Sequence, residues 1–75
     1  MSIRPIHYRK LVKVFEKEGW KYQRTRGDHM IFTKRGFIKA IVIPKYKTIP
    51  VFVIKNNLRT AKIEKEKYLG LLKKS

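Results

Sequence analysis

The chain has no cysteine among its 75 residues. That excludes a disulfide framework and a thiolate metal centre, and it fits a reducing cytoplasm. Acid is almost as scarce: five Asp and Glu stand against twenty Lys and Arg, a formal net charge of +15. Two histidines and a few dispersed carboxylates make a dedicated metal site unexpected. Long apolar runs are missing as well. No window approaches the ~20 residues that a membrane-spanning helix needs, and Met1-Ser2-Ile3-Arg4-Pro5 lacks the apolar core of a signal peptide. No internal repeat, low-complexity tract or linker interrupts the chain.

What remains reads as a single small domain over residues 1–75. A chain this short buries only about 60% of its unfolded surface, so two layers are expected, with helices on one face of a sheet. A hydrophobic content of 43% is ordinary for a folded protein. The excess of positive charge opposes compaction, and its simplest use is a polyanionic partner. Nucleic acid is the leading class and an anionic membrane surface the second, although no basic segment reads as an interfacial helix. A charge-rich thermophilic surface normally raises Lys and Glu together; here the cations rise alone.

Apolar residues at Tyr8, Leu11, Val12 and Phe15, with Val14 on the flank, mark one face of a helix over roughly residues 5–18, stopped by Gly19. His7 lies in this first helix near the edge of its apolar stripe, with no acid or nucleophile fixed beside it. Residues 20–26 alternate as a strand, placing Trp20, Tyr22, Arg24 and Arg26 on one face, with Trp20 and Tyr22 starting in the core. Gly27-Asp28 turns the chain. His29 to Lys34 is a second strand, Arg35-Gly36 a second turn, and Phe37 to Ile43 a third strand, closed by Pro44. Three strands joined by short turns form an antiparallel meander. Val51, Ile54, Leu58 and Ala61 then recur at helical spacing over about 50–61, leaving Asn56, Asn57 and Arg59 outward. Glu64 to Lys74 gives a last short helix, acidic at its start and basic at its end. The fold class is α+β: α-β-β-β-α with an added C-terminal helix, the layout of double-stranded-RNA-binding domains.

Within this frame the stretch Arg24-Thr25-Arg26-Gly27-Asp28-His29 concentrates chemistry. It places one imidazole directly after a tight turn, among cations. Histidine exchanges a proton near neutral pH, and RNA carries its own nucleophile, the 2′-OH. Cleavage needs that proton removed, the leaving 5′-oxygen protonated and the charge on the phosphorane stabilised. His29 is the candidate base. Arg24, Arg26, Lys34 and Lys45 are the nearest candidates for holding phosphate. Asp28 reads as a turn residue. Among the aromatics, Trp20 and Phe32 read as core, and Tyr46, on a basic loop, is the one favoured to stack on a base.

The order and spacing of several short motifs resemble HicA, the small toxin of a bacterial and archaeal toxin–antitoxin pair. They are Glu18-Gly19-Trp20 after the first helix, the Arg24–His29 turn, Val42-Ile43-Pro44 at the end of the third strand, and Leu58-Arg59-Thr60-Ala61-Lys62-Ile63. The resemblance implies a double-stranded-RNA-binding-like fold and an endoribonuclease that cuts mRNA. It implies that His29 is catalytic, that no metal or other cofactor is required, and that a HicB-like antitoxin covers the active site. One departure stands out: many family members carry Pro-x-His where this chain has Pro44-Lys45-Tyr46. The competing reading is a non-catalytic module that binds duplex RNA through its basic surface. A third is a degenerate toxin, active only as an antitoxin partner or a regulator.

Overall fold

The computed structural model describes residues 2–74 and runs α1 (Tyr8–Lys17), β1 (Lys21–Arg26), β2 (His29–Thr33), β3 (Ile41–Pro44), α2 (Val51–Ala61) and α3 (Lys65–Lys74). The strands form one antiparallel sheet in the order β1-β2-β3. The expected α+β layout is therefore the observed one.

The helices obey the apolar spacing that identified them. Leu11, Val14 and Phe15 are buried on α1, and Ile54, Leu58 and Ala61 on α2. Val14, read as a flank residue, belongs to the centre of the stripe. Tyr8 and Val12, at the margin of the same face, are partly buried against this core. Two strand residues of β2, Met30 and Phe32, pair with Ile43 and Ile41 of β3; cross-strand partners share a face, so these four form the sheet's contribution to the core. Trp20 closes the layer, edge-on to Phe15 at 6.3 Å and tilted against Phe37 at 4.9 Å.

The structure corrects the sequence reading at five places. The first helix begins at Tyr8, not near Pro5, because Ile6 is engaged in a bridge with Ile49 and His7 is the N-cap. The Arg9 N–H donates to His7 Nδ1 at 3.1 Å, satisfying a donor that the first turn leaves open. The third strand starts at Ile41, not Phe37: the Phe37 N–H closes a turn onto the Lys34 carbonyl at 3.1 Å, and Ile38 is wholly exposed. Asn57 is buried, at 8% exposure, because its Nδ2 donates to the Val42 carbonyl at 3.1 Å and so pins α2 to β3. Tyr22 is half exposed rather than core; its ring meets the edge of Phe32 at 5.8 Å, and its hydroxyl shares a 2.7 Å hydrogen bond with that of Thr25. Finally, β1 does not alternate regularly. Tyr22 pairs with Phe32 and Arg24 with Ile31, so Gln23 is an extra residue, a β-bulge. Beyond it the faces exchange, and Arg24 and Arg26 leave the face that Tyr22 occupies.

The β1–β2 connection is the tightest hairpin available. Gly27 has φ 59, while Asp28 does not enter the positive-φ region, the pattern of a type II′ turn. α2 ends on Lys62 in the left-handed region at φ 57, with Lys62 N–H bonded to the Arg59 carbonyl and Ile63 N–H to the Leu58 carbonyl. That is a Schellman cap, and buried Ile63 and Leu58 supply its apolar contact. Among the described residues no helix is long and apolar enough to cross a membrane.

Two stability predictions follow from this architecture. Tyr68, fully buried on α3, has a hydroxyl with no hydrogen-bond partner, and burial pushes its pKa from 10.0 to about 12. A buried unsatisfied hydroxyl costs about 1–3 kcal/mol, so Tyr68→Phe should raise the urea midpoint. Between pH 10 and 12 unfolded Tyr68 has released its proton while the folded residue retains it. The folded state then binds more protons, and wild-type stability falls as pH rises through that window. The advantage of Tyr68→Phe should therefore widen above pH 10 in paired urea melts. Gly27→Ala should lower stability by about 1–2 kcal/mol from the positive φ alone, because a Cβ there would meet nothing within 4 Å; a urea melt at neutral pH reads this directly.

Candidate nucleic-acid interface

With Met30, Phe32, Ile41 and Ile43 committed to the core, the alternate residues of the sheet face away from the helices. On β2 these are His29, Ile31 and Thr33. Their partners on β1 are Arg26, Arg24 and Lys21, and on β3 Ile31 faces Val42. The uncovered face is thus a basic strip over polar and short apolar residues.

His29 opens β2 and is exposed. It sits between two registered partners, Arg26 on one side and Pro44 on the other. Among the described residues its imidazole makes no hydrogen bond, so both ring nitrogens are open to a substrate. Arg26 is its direct neighbour across the hairpin and is exposed; Arg24 lies one pair further along the same face, brought there by the bulge.

Lys45 reaches the same end of the sheet by a backbone tie. Its N–H donates to the Asp28 carbonyl at 2.7 Å, fastening the loop after β3 to the β1–β2 turn. This bond gives Asp28 a structural role, as the sequence reading held. Tyr46 follows, with its N–H on the Pro44 carbonyl at 2.8 Å and its own carbonyl accepting the Tyr8 N–H at 3.1 Å. The loop is therefore held at both sides, by the turn and by the first residue of α1. The Tyr46 ring is 44% exposed, enough for a base to stack on it. The contact with α1 also brings the His7–Tyr8 pair, stacked at 4.8 Å, next to the Tyr46 loop. Sequence spacing gave no signal for that approach, since nearly forty residues separate the two segments.

Lys34 is the one predicted phosphate ligand that the fold does not bring to His29. It follows the far end of β2, five residues on, which at strand rise is about 17 Å away. Its Nζ lies 5.6 Å from the Phe37 ring centroid and its stem borders Gly19. Around it stand Lys21, Gln23, Thr33 and Arg35, which line one groove with Gly19 and Lys34.

The electrostatics of the strip are one-sided. Among the described residues the ion pair is Lys67 with Glu18, at 2.9 Å on the helical side. Among the described residues the guanidinium and ammonium groups of Arg24, Arg26 and Lys45 have no carboxylate within ion-pair distance. No group of three His, Asp or Glu side chains gathers among the described residues. What the strip offers instead is a solvent-open imidazole, unpaired cations on either side of it, and an aromatic ring at the border.

A search of curated proteins returns no match. A family model does match: it is described as the HicA toxin of bacterial toxin–antitoxin, and it covers residues 8–63. The matched span starts with the first residue of α1, takes in all three strands and ends on Ile63, one residue past the cap of α2, so it includes His29, both arginines, Lys34, Lys45 and Tyr46 and leaves out α3. Since it covers well over half of the chain, and the fold expected of that family is the one observed, this protein belongs to the HicA family of toxins from toxin–antitoxin systems.

Proposed function

We propose that this toxin is an endoribonuclease that cleaves mRNA in the cytoplasm without a metal, with His29 as general base, and that a HicB-like antitoxin silences it by covering His29 and the cations beside it. The observation that carries this reading is the placement of an exposed imidazole between Arg26 and Pro44, on a sheet face that bears unpaired cations and no helix.

The reaction is internal transesterification. His29 removes the proton of a ribose 2′-OH, and that oxygen attacks the adjacent phosphorus. The bond to the 5′-oxygen of the next nucleotide breaks as that oxygen takes a proton from solvent, leaving a 2′,3′-cyclic phosphate and a free 5′-hydroxyl. Arg26, Arg24 and Lys45 hold the phosphate and stabilise the charge that builds on the phosphorane. Tyr46 stacks on a neighbouring base and fixes the register of the strand. In this chain Tyr46 occupies the place of the histidine found in many relatives; a phenol on a loop tied to the active-site turn keeps the stacking surface without supplying a second imidazole.

A single well-placed base contributes roughly 10²–10⁴-fold. His29→Ala should therefore lower cleavage of single-stranded RNA in EDTA by about that factor while leaving RNA binding nearly intact; unchanged cleavage by the purified variant removes His29 from the role. Wild-type protein that leaves RNA whole at high concentration would instead favour the duplex-RNA-binding module. Arg26→Gln should slow cleavage and weaken binding together, because its charge acts on the phosphate in both the ground state and the transition state; single-turnover kinetics separate the two effects.

A further inference from the structure

The His29 end of the open face accounts for one half of the basic strip. The other half ends in the groove lined by Gly19, Lys21, Gln23, Thr33, Lys34 and Arg35, a hollow of about 370 Å³. Its base is ordered: Gln23 Nε2 donates to Thr33 Oγ1 at 2.7 Å, across the pair formed by Lys21 and Thr33. Its rim carries three cations, Lys21, Lys34 and Arg35, and no acid lines it. The Lys34 ammonium sits over the Phe37 ring, 5.6 Å from its centroid, and its stem runs beside Gly19, where a Cβ would meet Lys34 Cε at 3.4 Å. The bulge that turns Arg24 onto the open face also projects Gln23 there, so the two ends of the strip are joined along β1.

We infer that this groove is a second RNA subsite, which holds the phosphate and base of a single-stranded nucleotide several positions from the one cut at His29. The inference rests on the endoribonuclease reading and deepens it by naming where the rest of the substrate lies. Three cations with no counter-ion match a phosphate, and the amide of Gln23 offers a donor and an acceptor to a base edge. The separation from His29, about 17 Å along β2, corresponds to no more than about five nucleotides at the 3.4 Å spacing of stacked bases. A continuous strand crossing the open face therefore meets Tyr46, His29, Arg26 and Arg24 and then the groove. Substrate shorter than that span reaches only the first part.

The test combines Lys21→Gln, Lys34→Met and Arg35→Gln in one variant; methionine at 34 keeps the apolar stem over Phe37. A control variant carries Lys10→Gln, Lys13→Gln and Lys17→Gln, the same loss of charge on exposed positions of α1. Both are titrated with a non-cleavable 2′-O-methyl trinucleotide and decanucleotide at several salt concentrations. The groove variant should lose at least tenfold in decanucleotide affinity and about one to two units of salt slope, with trinucleotide affinity changed less than threefold; the α1 control should do neither. An equal loss for both oligonucleotides, an equal loss in the α1 control, or displacement of decanucleotide by poly-glutamate as readily as by RNA would overturn the subsite. The two readings fail separately. If wild type leaves cleavable RNA intact while the groove variant still loses the decanucleotide, the nuclease reading falls and the subsite stands. If wild type cuts RNA and the groove variant binds like the control, the reverse holds.

Discussion

Everything distinctive about this molecule depends on a sheet that is covered on one side only. A chain of 75 residues has apolar side chains for one core, and here Met30, Phe32, Ile41 and Ile43 spend the sheet's share on the helical side. The alternation of the strands then forces the intervening residues outward. Because those residues include Lys21, Arg24, Arg26 and His29, the uncovered face becomes the cationic one. No additional device is needed to expose the imidazole: burying its neighbours does so.

Two backbone features sharpen that arrangement into a site. The bulge at Gln23 shifts the alternation of β1, so that both arginines share a face with His29 instead of sharing one with Tyr22. The 2.7 Å bond from the Lys45 N–H to the Asp28 carbonyl brings the third strand's exit loop against the first hairpin. It adds a cation and an aromatic ring at the end of the sheet where the imidazole stands. The first changes the face that the arginines occupy, and the second ties a loop to a turn. The turn at Gly27 joins them, since its positive φ sets the register in which Arg26 opposes His29.

The helical side is built for anchoring. Asn57 ties α2 to the backbone of β3, the Schellman cap at Lys62 stops α2 before Ile63 enters the core, and Glu18 holds α3 through Lys67. Among the described residues the buried side-chain atom left unsatisfied is the Tyr68 hydroxyl, on α3, so its cost falls on the stability of the helical side. The division of labour is physical: apolar area and backbone bonds stabilise one side, while unpaired charge on the other side lowers stability through self-repulsion and favours a polyanion.

The amino-acid sequence by itself determined the element order, most of the core and the position of the candidate base, His29. Apolar spacing at Leu11, Phe15, Ile54 and Leu58, the Gly27-Asp28 turn and the lone histidine after it are local signals, read within a few residues of one another. The tertiary structure decided what depends on pairing across the sheet. A bulge leaves no mark in a sequence whose residues still alternate: the alternation puts Arg24 and Arg26 on the face of Tyr22, whereas the pairing of Tyr22 with Phe32 and of Arg24 with Ile31 puts them on the opposite one. The burial of Asn57 and the approach of Tyr46 to α1 rest on bonds between segments far apart in the chain. Lys34 shows the same limit from the other side: five residues from His29 in sequence, it lies a full strand length away, because an extended backbone carries side chains apart as steadily as a turn brings them together.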